Sequence, residues 1–317
     1  MTLIKLLEKK AINSKIKIIF PEGNDERIIN AAKKAYRKKI CTPLLVSAKK
    51  GKLFFNHLTS KKLKEYAKKY SKKKKMSLSV AEKIMQDPLF YSAMALKEGD
   101  ADAMIAGAQY TSGNVIAVSK DIIGLKKGIK VASSYFIMSL PFFKNKEGGN
   151  LIFADASVNP LPNAYELADI AITSAETAKK LLGWVPRVAM LSFSTKGSAS
   201  HEIIDKIVQA TKIANKKAPQ YFIDGEMQGD AALIELIAKK KMKKIGKVGG
   251  KANVLIFPDL NAGNICYKLV QVLGRATAYG PILQGFNKPV SDLSRGAKEK
   301  DIYGVIIIMS ILARRKK

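Results

Sequence analysis

The sequence predicts an α/β protein with parallel-rich sheets, on three observations. Short apolar runs alternate with amphipathic helical stretches along most of the chain. Polar loops follow several of those runs, at Asp155–Pro160, Ser194–Ser200, Asp224–Asp230 and Asp259–Asn264, where an open sheet presents the carboxyl ends of its strands to ligands. The length of 317 residues exceeds one ordinary hydrophobic core, so two domains are expected.

The elements are read in order. Lys15–Phe20 is a strand, and Pro21-Glu-Gly-Asn-Asp turns it into a helix from about Glu26. Ala101–Ala106 is a second strand. Leu151–Phe153, Arg187–Phe193, Gln220–Ile223 and Asn253–Phe257 are further β-rich runs. Between them lie helical stretches at Ala164–Leu182, Glu202–Asn215, Ala231–Lys240 and Gly263–Leu273. In Glu202–Asn215, Ile203, Ile207, Ala210 and Ala214 recur every three or four residues and define one apolar face. Ser200 is read as the cap before it, with His201 in the first turn. Ile302–Ala313 is too short to span a bilayer and reads as a buried terminal helix, with Arg-Arg-Lys-Lys at its negative end. Strand–helix alternation of this kind gives parallel sheets covered by helices.

Composition narrows the function. Hydrophobic content of 47% and charged content of 26% are those of an ordinary soluble globular protein. The net charge of +30 admits a polyanionic partner, but the excess is nearly all Lys and scattered, and the runs Lys72–Lys75 and Lys239–Lys244 carry no interleaved aromatics. A solvated lysine surface without a specific nucleic-acid partner is the favoured reading. Cys41 and Cys266 have no paired spacing, and Met1–Lys10 lacks a signal-peptide core, so a reduced, cytoplasmic setting without membrane attachment is expected.

Several chemistries lack their residues. His57 and His201 are the only histidines, no Cys/His cluster has zinc spacing, and no dinucleotide or Walker motif is present. No metal or bound cofactor is therefore expected. The positive signal is for a tetrahedral anion. Thr111-Ser-Gly-Asn, Ser133-Ser and Ser294-Arg295 supply hydroxyls, helix-start amides and a guanidinium. Thr111 and Ser112 also read as simple helix caps. Only seven of the 56 basic residues are Arg, so an Arg between Ser294 and Gly296 suggests a task that needs a planar fork; a loop Arg paired with an acid remains the alternative.

Taken in order, the segments Phe20-Pro-Glu-Gly-Asn-Asp-Glu-Arg, Met104-Ile-Ala-Gly-Ala, Thr111-Ser-Gly-Asn-Val-Ile and Phe153-Ala-Asp-Ala-Ser-Val-Asn-Pro carry a resemblance. Glu166-Leu-Ala-Asp-Ile-Ala, Leu191-Ser-Phe-Ser-Thr-Lys-Gly-Ser-Ala, Asp224-Gly-Glu-Met-Gln-Gly-Asp-Ala-Ala, Phe257-Pro-Asp-Leu-Asn-Ala-Gly-Asn and the stretch from Gly280 to Asp301 continue it. The chain resembles the phosphate acetyl/butyryltransferase family, and phosphate acetyltransferases in particular, over nearly its whole length.

The resemblance implies reversible transfer of an acetyl group between CoA and phosphate, with acetyl-CoA, phosphate and acetyl phosphate as the small-molecule partners. It implies two α/β/α domains with a cleft between them: residues 1–140 plus 282–317 as the first, and 141–281 as the second, which dimerises. It implies Ser294, Arg295 and Asp301 as the catalytic trio. Asp301 would take the thiol proton of CoA, Arg295 would hold the phosphate, and Ser294 would donate to the carbonyl oxygen. An N-cap role for Asp301 on the terminal helix is compatible with that task. The candidate substrate contacts are Thr111, Ser112, Gly113, Ser133, Ser134, Asn159, Pro160, Lys196, Gly197, Gln228, Lys268, Tyr279, Gly280, Pro281 and Gln284.

Three positions depart from the family pattern. Ser71-Lys-Lys-Lys-Lys replaces a stretch that often holds an Arg for CoA, leaving Lys72 to stand in; Ala117 replaces a second Arg; and Ala156 replaces a cysteine, which excludes an enzyme thiol there and favours direct transfer. The alternatives are a butyryl-type transferase with a roomier acyl pocket, and a non-catalytic domain of the same fold.

Overall fold

The computed structural model describes residues 2–314. The chain forms two compact units, Met1–Lys126 with Phe286–Lys317, and Lys127–Gly285.

The first unit begins with α1 (Leu3–Ala11), β1 (Lys17–Phe20), α2 (Glu26–Arg37), β2 (Thr42–Val46) and β3 (Phe54–Phe55). It continues through α3 (Lys61–Lys74), α4 (Leu78–Met85), α5 (Pro88–Glu98), β4 (Ala103–Ala106) and α6 (Ser112–Ile122). The second unit holds β5 (Ser133–Ser139), β6 (Asn150–Ala154), α7 (Ala164–Thr177), β7 (Arg187–Leu191), α8 (Glu202–Lys217) and β8 (Phe222–Met227). Next come α9 (Gly229–Leu233), α10 (Glu235–Lys241), β9 (Val254–Ile256), α11 (Leu260–Leu273) and β10 (Thr277–Gln284). The chain then completes the first unit with β11 (Val290–Asp292) and α12 (Glu299–Leu312).

In the first unit the strands run β3-β2-β1-β4-β11, every neighbouring pair parallel. Ile18 to Phe20 and all of β4 are buried, the unbroken apolar pattern of strands covered on both faces. Asp292 pairs with Ala106, so the turns after β1, β4 and β11 emerge at one edge of this sheet. Helix α12 packs against α1 and α2 and is buried from Ile302 to Ser310. The Arg-Lys tail expected after it, from Arg315 on, lies outside the described residues; Arg314 donates to the carbonyl of Ile12 at 3.3 Å.

In the second unit the order is β10-β5-β6-β9-β7-β8. β5 is antiparallel to both β10 and β6, and β6, β9, β7 and β8 are mutually parallel where they pair. Tyr279 and Ile282 of β10 bracket a register shift at Gly280-Pro281, where a Cβ on Gly280 would lie 2.8 Å from the Tyr135 carbonyl oxygen.

Five local expectations are corrected. The buried face of α8 is Ile204, Ile207, Ala210, Thr211 and Ala214; Ile207, Ala210 and Ala214 are buried as expected, but Ile203 is exposed and the neighbouring Ile204 takes its place at the start of the helix. His201, not Ser200, caps α8: its Nδ1 accepts from the Ile203 N–H at 3.2 Å. The helix expected over Ala231–Lys240 is broken at Ile234, whose backbone is extended, into α9 and α10. Asp224, Gly225 and Glu226 are strand residues of β8, since β8 pairs with β7 as far as Met227. Helix α12 starts at Glu299, which puts Asp301 in its first turn instead of at its cap.

Candidate active site

Three turns of the first unit are tied together by charged side chains. After β1, Asp25 caps α2 by accepting from the Arg27 N–H at 2.9 Å, and the Arg27 Nη2 reaches back to its carboxylate at 2.7 Å. This forked contact holds the Asp25 carboxyl below the ordinary range. The remaining arm of Arg27, Nη1, donates to the carbonyl oxygens of Arg295 at 2.7 Å and Ala297 at 3.0 Å. Arg27 thus pins the backbone of the turn that follows β11.

Glu22, 5% exposed, pins the turn after β4. Its carboxylate accepts from the N–H groups of Ala108 at 3.0 Å, Gln109 at 2.6 Å and Tyr110 at 2.8 Å. That turn ends at Thr111, whose hydroxyl caps α6 by accepting from the Asn114 N–H at 3.3 Å. Among the described residues, the N–H groups of Ser112 and Gly113 in the first turn of α6 have no acceptor. They can serve an anion at a positive helix end.

The turn after β11 carries Ser294 and Arg295 of the expected trio, and Asp301 follows in the first turn of α12. Ser294 and Arg295 are exposed, and the Ala297 N–H closes the turn on the Ser294 carbonyl at 2.9 Å. Ser294 Oγ accepts from the Gly296 N–H at 3.3 Å, which leaves its proton free to donate. Among the described residues the Arg295 guanidinium has no hydrogen-bond or acid partner, in contrast to the fully engaged Arg27. Asp301, half-buried, accepts from the Lys298 N–H through Oδ2 at 3.0 Å, which fixes the carboxylate at the start of α12.

Candidate residues of the second unit fall into two groups. Ser133, Ser134 and Gln284 are buried. Gln284 Nε2 donates to Ser133 Oγ at 3.0 Å and Ser174 Oγ at 2.8 Å, and the Ser134 hydroxyl donates to Asp155. These side chains are committed to the interior of the unit. Asn159 is half-buried and donates to the Ala132 carbonyl at 2.9 Å, while its own N–H is held by Asp155 at 2.9 Å. Pro160, Lys196, Gly197 and Lys268 are exposed. Lys196 pairs with Asp224, and the Gly197 N–H donates to Glu226 at 2.7 Å. Gln228 Oε1 accepts from Thr195 Oγ1 at 3.1 Å and Lys241 Nζ at 2.9 Å. Lys268 sits 5.4 Å from the Tyr267 ring centroid, and Tyr279, Gly280 and the buried Pro281 lie in β10 at its register shift.

Sequence reasoning missed the buried carboxylates that build these turns. Besides Glu22, Asp155 gathers the N–H groups of Ser157 at 3.1 Å and Val158 at 3.3 Å, and Glu226 accepts from Ser194 Oγ at 3.0 Å. It also passed over Arg27 and Asp292. The available signal was an acid directly after or ending an apolar strand, in Phe20-Pro-Glu and Val290-Ser-Asp. Among the described residues no cluster of three or more His, Cys, Asp or Glu could hold a metal ion.

The chain is similar to known proteins over nearly its whole length. Residues 2–310 match the profile of a family described as phosphate acetyl/butaryl transferase. The phosphate acetyltransferase of Thermoanaerobacterium thermosaccharolyticum is 44% identical, covering 99% of this chain and 100% of the relative. That of Bacillus subtilis is 38% identical, covering 98% and 99%. A crystal structure of a phosphotransacetylase from Streptococcus pyogenes superimposes with a TM-score of 0.90 at 37% identity, covering 99% of each chain.

Proposed function

The chain belongs to the phosphate acetyl/butaryl transferase family and is an acyltransferase, and from that premise we propose that it interconverts acetyl-CoA and phosphate with acetyl phosphate and CoA. The observation that carries this reading is Arg295: an unpaired guanidinium on a turn whose backbone is clamped by a second arginine.

In the direction of acetyl-CoA synthesis, both substrates are held together. Asp301 takes the S–H proton of CoA, and the thiolate attacks the acetyl carbonyl carbon of acetyl phosphate. The carbonyl oxygen becomes an oxyanion that receives the Ser294 hydroxyl. The C–O bond to phosphate breaks, and the leaving phosphate is held by the forked donors of Arg295 and by the Ser112 and Gly113 N–H groups, with Thr111 capping the same turn. No covalent enzyme intermediate is formed. We extend the proposal to Asn159, Pro160, Lys196, Gly197, Gln228, Lys268, Tyr279, Gly280 and Pro281 as contacts of the bulkier substrate. Ser133, Ser134 and Gln284 act as their buried support.

Helix α11 supports a homodimer through the second unit: Ile265, Leu269, Val272 and Leu273 form an exposed apolar stripe at helical spacing, 74% exposed at Val272 and 77% at Leu273. A cytoplasmic setting is supported by two unbridged cysteines, of which Cys41 is buried with its thiol pushed up to about 12 by desolvation. Among the described residues no helix is long and apolar enough to cross a membrane.

The test is a purified-protein assay with acetyl-CoA and phosphate and no added cofactor, following acetyl phosphate and free thiol. Stoichiometric appearance of both is expected, and absence of turnover overturns the proposal.

A further inference from the structure

The second unit holds a cavity that its candidate substrate contacts leave unused. About 400 Å³ in volume, it lies at the amino ends of β7 and β8, where Arg187 and Phe222 open the two strands and pair in register. Lys196 and Gln228 follow the opposite, carboxyl ends of the same strands. The cavity has the size of a small-molecule site. Fixed turns wall it. On one side Asn145 Oδ1 ties the β5–β6 turn by accepting from the Glu147 N–H at 3.1 Å and the Gly149 N–H at 2.8 Å. On the other, Gly250 has a φ of +69°, and a Cβ there would lie 2.3 Å from the Glu235 Cα.

Glu147 lines this cavity with its side chain 7% exposed. Its two oxygens are unequal. Oε1 takes both donors, Arg187 Nη2 at 2.6 Å and Asn253 Nδ2 at 3.0 Å, while Oε2 is buried and receives none. Arg187 is committed to the fold, since its other arms donate to the carbonyls of Val185 at 3.3 Å and of Lys251. A buried carboxylate oxygen without a partner calls for an N–H or O–H donor. Phe143, half-buried, and Phe222, exposed, add apolar faces to the lining. The exposed Lys144, Lys146 and Lys247 complete it, and among the described residues none of the three is in an ion pair. A bare anion meets the Glu147 carboxylate there, and a bare cation meets three lysines. The lining suits a molecule with a donor at one end, an anion at the other and a flat ring between them.

We propose that this cavity is a second ligand site, for a nucleoside monophosphate. A base N–H donates to Glu147 Oε2, the base lies against Phe143 and Phe222, and the phosphate reaches the lysines. The inference does not depend on the acetyl transfer proposed above.

The probe is GMP, whose base carries N–H donors and which, unlike AMP, is not a fragment of CoA. Titration calorimetry of the full chain at about 0.15 M salt is expected to give a single saturable GMP site per chain. Guanosine and inorganic phosphate are each expected to bind roughly tenfold more weakly or worse, because each lacks one half of the recognition. Phe222→Ala and Glu147→Gln are each expected to weaken GMP on the order of tenfold, and Arg295→Ala to leave its affinity unchanged. Absence of saturable GMP binding, phosphate binding as tight as that of GMP, or an affinity that either cavity variant leaves unmoved overturns the inference. So does loss of GMP binding in Arg295→Ala, which places the nucleotide at the proposed reaction site instead. If Glu147→Gln does not fold, the exposed Phe222→Ala alone decides.

Discussion

The guanidinium of Arg27 donates at 2.7 Å to the backbone carbonyl of Arg295, so one scarce arginine holds the other in place. Because Arg27 is also forked onto Asp25, its two ends are fixed, and the Arg295 turn inherits that rigidity. Replacing Arg27 by Ala is expected to lower kcat on the order of tenfold to a hundredfold through misplacement of Arg295. Steady-state kinetics beside a thermal melt checks this; a variant with lowered Tm but parental kcat argues against the clamp.

Among the described residues the Arg295 guanidinium has no structural partner to lose. Arg295→Ala is therefore expected to leave Tm within about 1 °C while lowering kcat/KM by roughly 100-fold or more, and Arg295→Lys is expected to recover little, because an ammonium lacks the fork. Parental activity in the Lys variant would remove the case for two-point recognition of phosphate.

Asp301 accepts the Lys298 N–H, a contact that an amide oxygen can replace. Asp301→Asn is expected to cost less than about 1 kcal/mol of stability yet remove most turnover, as an amide cannot take the thiol proton. Urea denaturation and a single-turnover assay separate the two effects. Full activity in the folded Asn protein refutes the base assignment.

Burial raises the carboxyl of Asp292, 2% exposed, and makes a stability prediction, with the following sign. Its folded value is about 6 against 3.8, so between those values the folded state holds more proton than the unfolded state, and stability falls as pH rises through that window. The ionised carboxyl then costs on the order of 3 kcal/mol above pH 6. Asp292→Asn is expected to gain stability over the parent progressively from pH 4 to pH 7. A parent-minus-variant difference that is flat across that range contradicts the burial argument.

The exposed stripe on α11 predicts self-association. Val272→Lys with Leu273→Glu is expected to convert a dimer to monomer in light scattering while each chain stays folded by circular dichroism. Parental mass in that variant moves the interface elsewhere.

The residues by themselves determined the alternation of strands and helices and the polar loops after β6, β7 and β9, and they singled out Arg295 as a candidate anion ligand. These are local signals: periodicity, turn chemistry, and the rarity of Arg in a lysine-rich chain. They gave Ile207, Ala210 and Ala214 of the buried face of α8 but not its first residue, because the spacing of Ile203 and Ile204 fits that face almost equally well and only packing selects which of them is buried. Nor did they give the carboxylate scaffold. Glu22 meets the Ala108 N–H from 86 residues away, and Asp292 Oδ1 lies against Gly107 where parallel pairing of β4 and β11 brings the two strand ends together. A buried carboxylate is stable only where distant donors converge on it, and that convergence is a property of the folded sheet edge, not of any stretch of sequence.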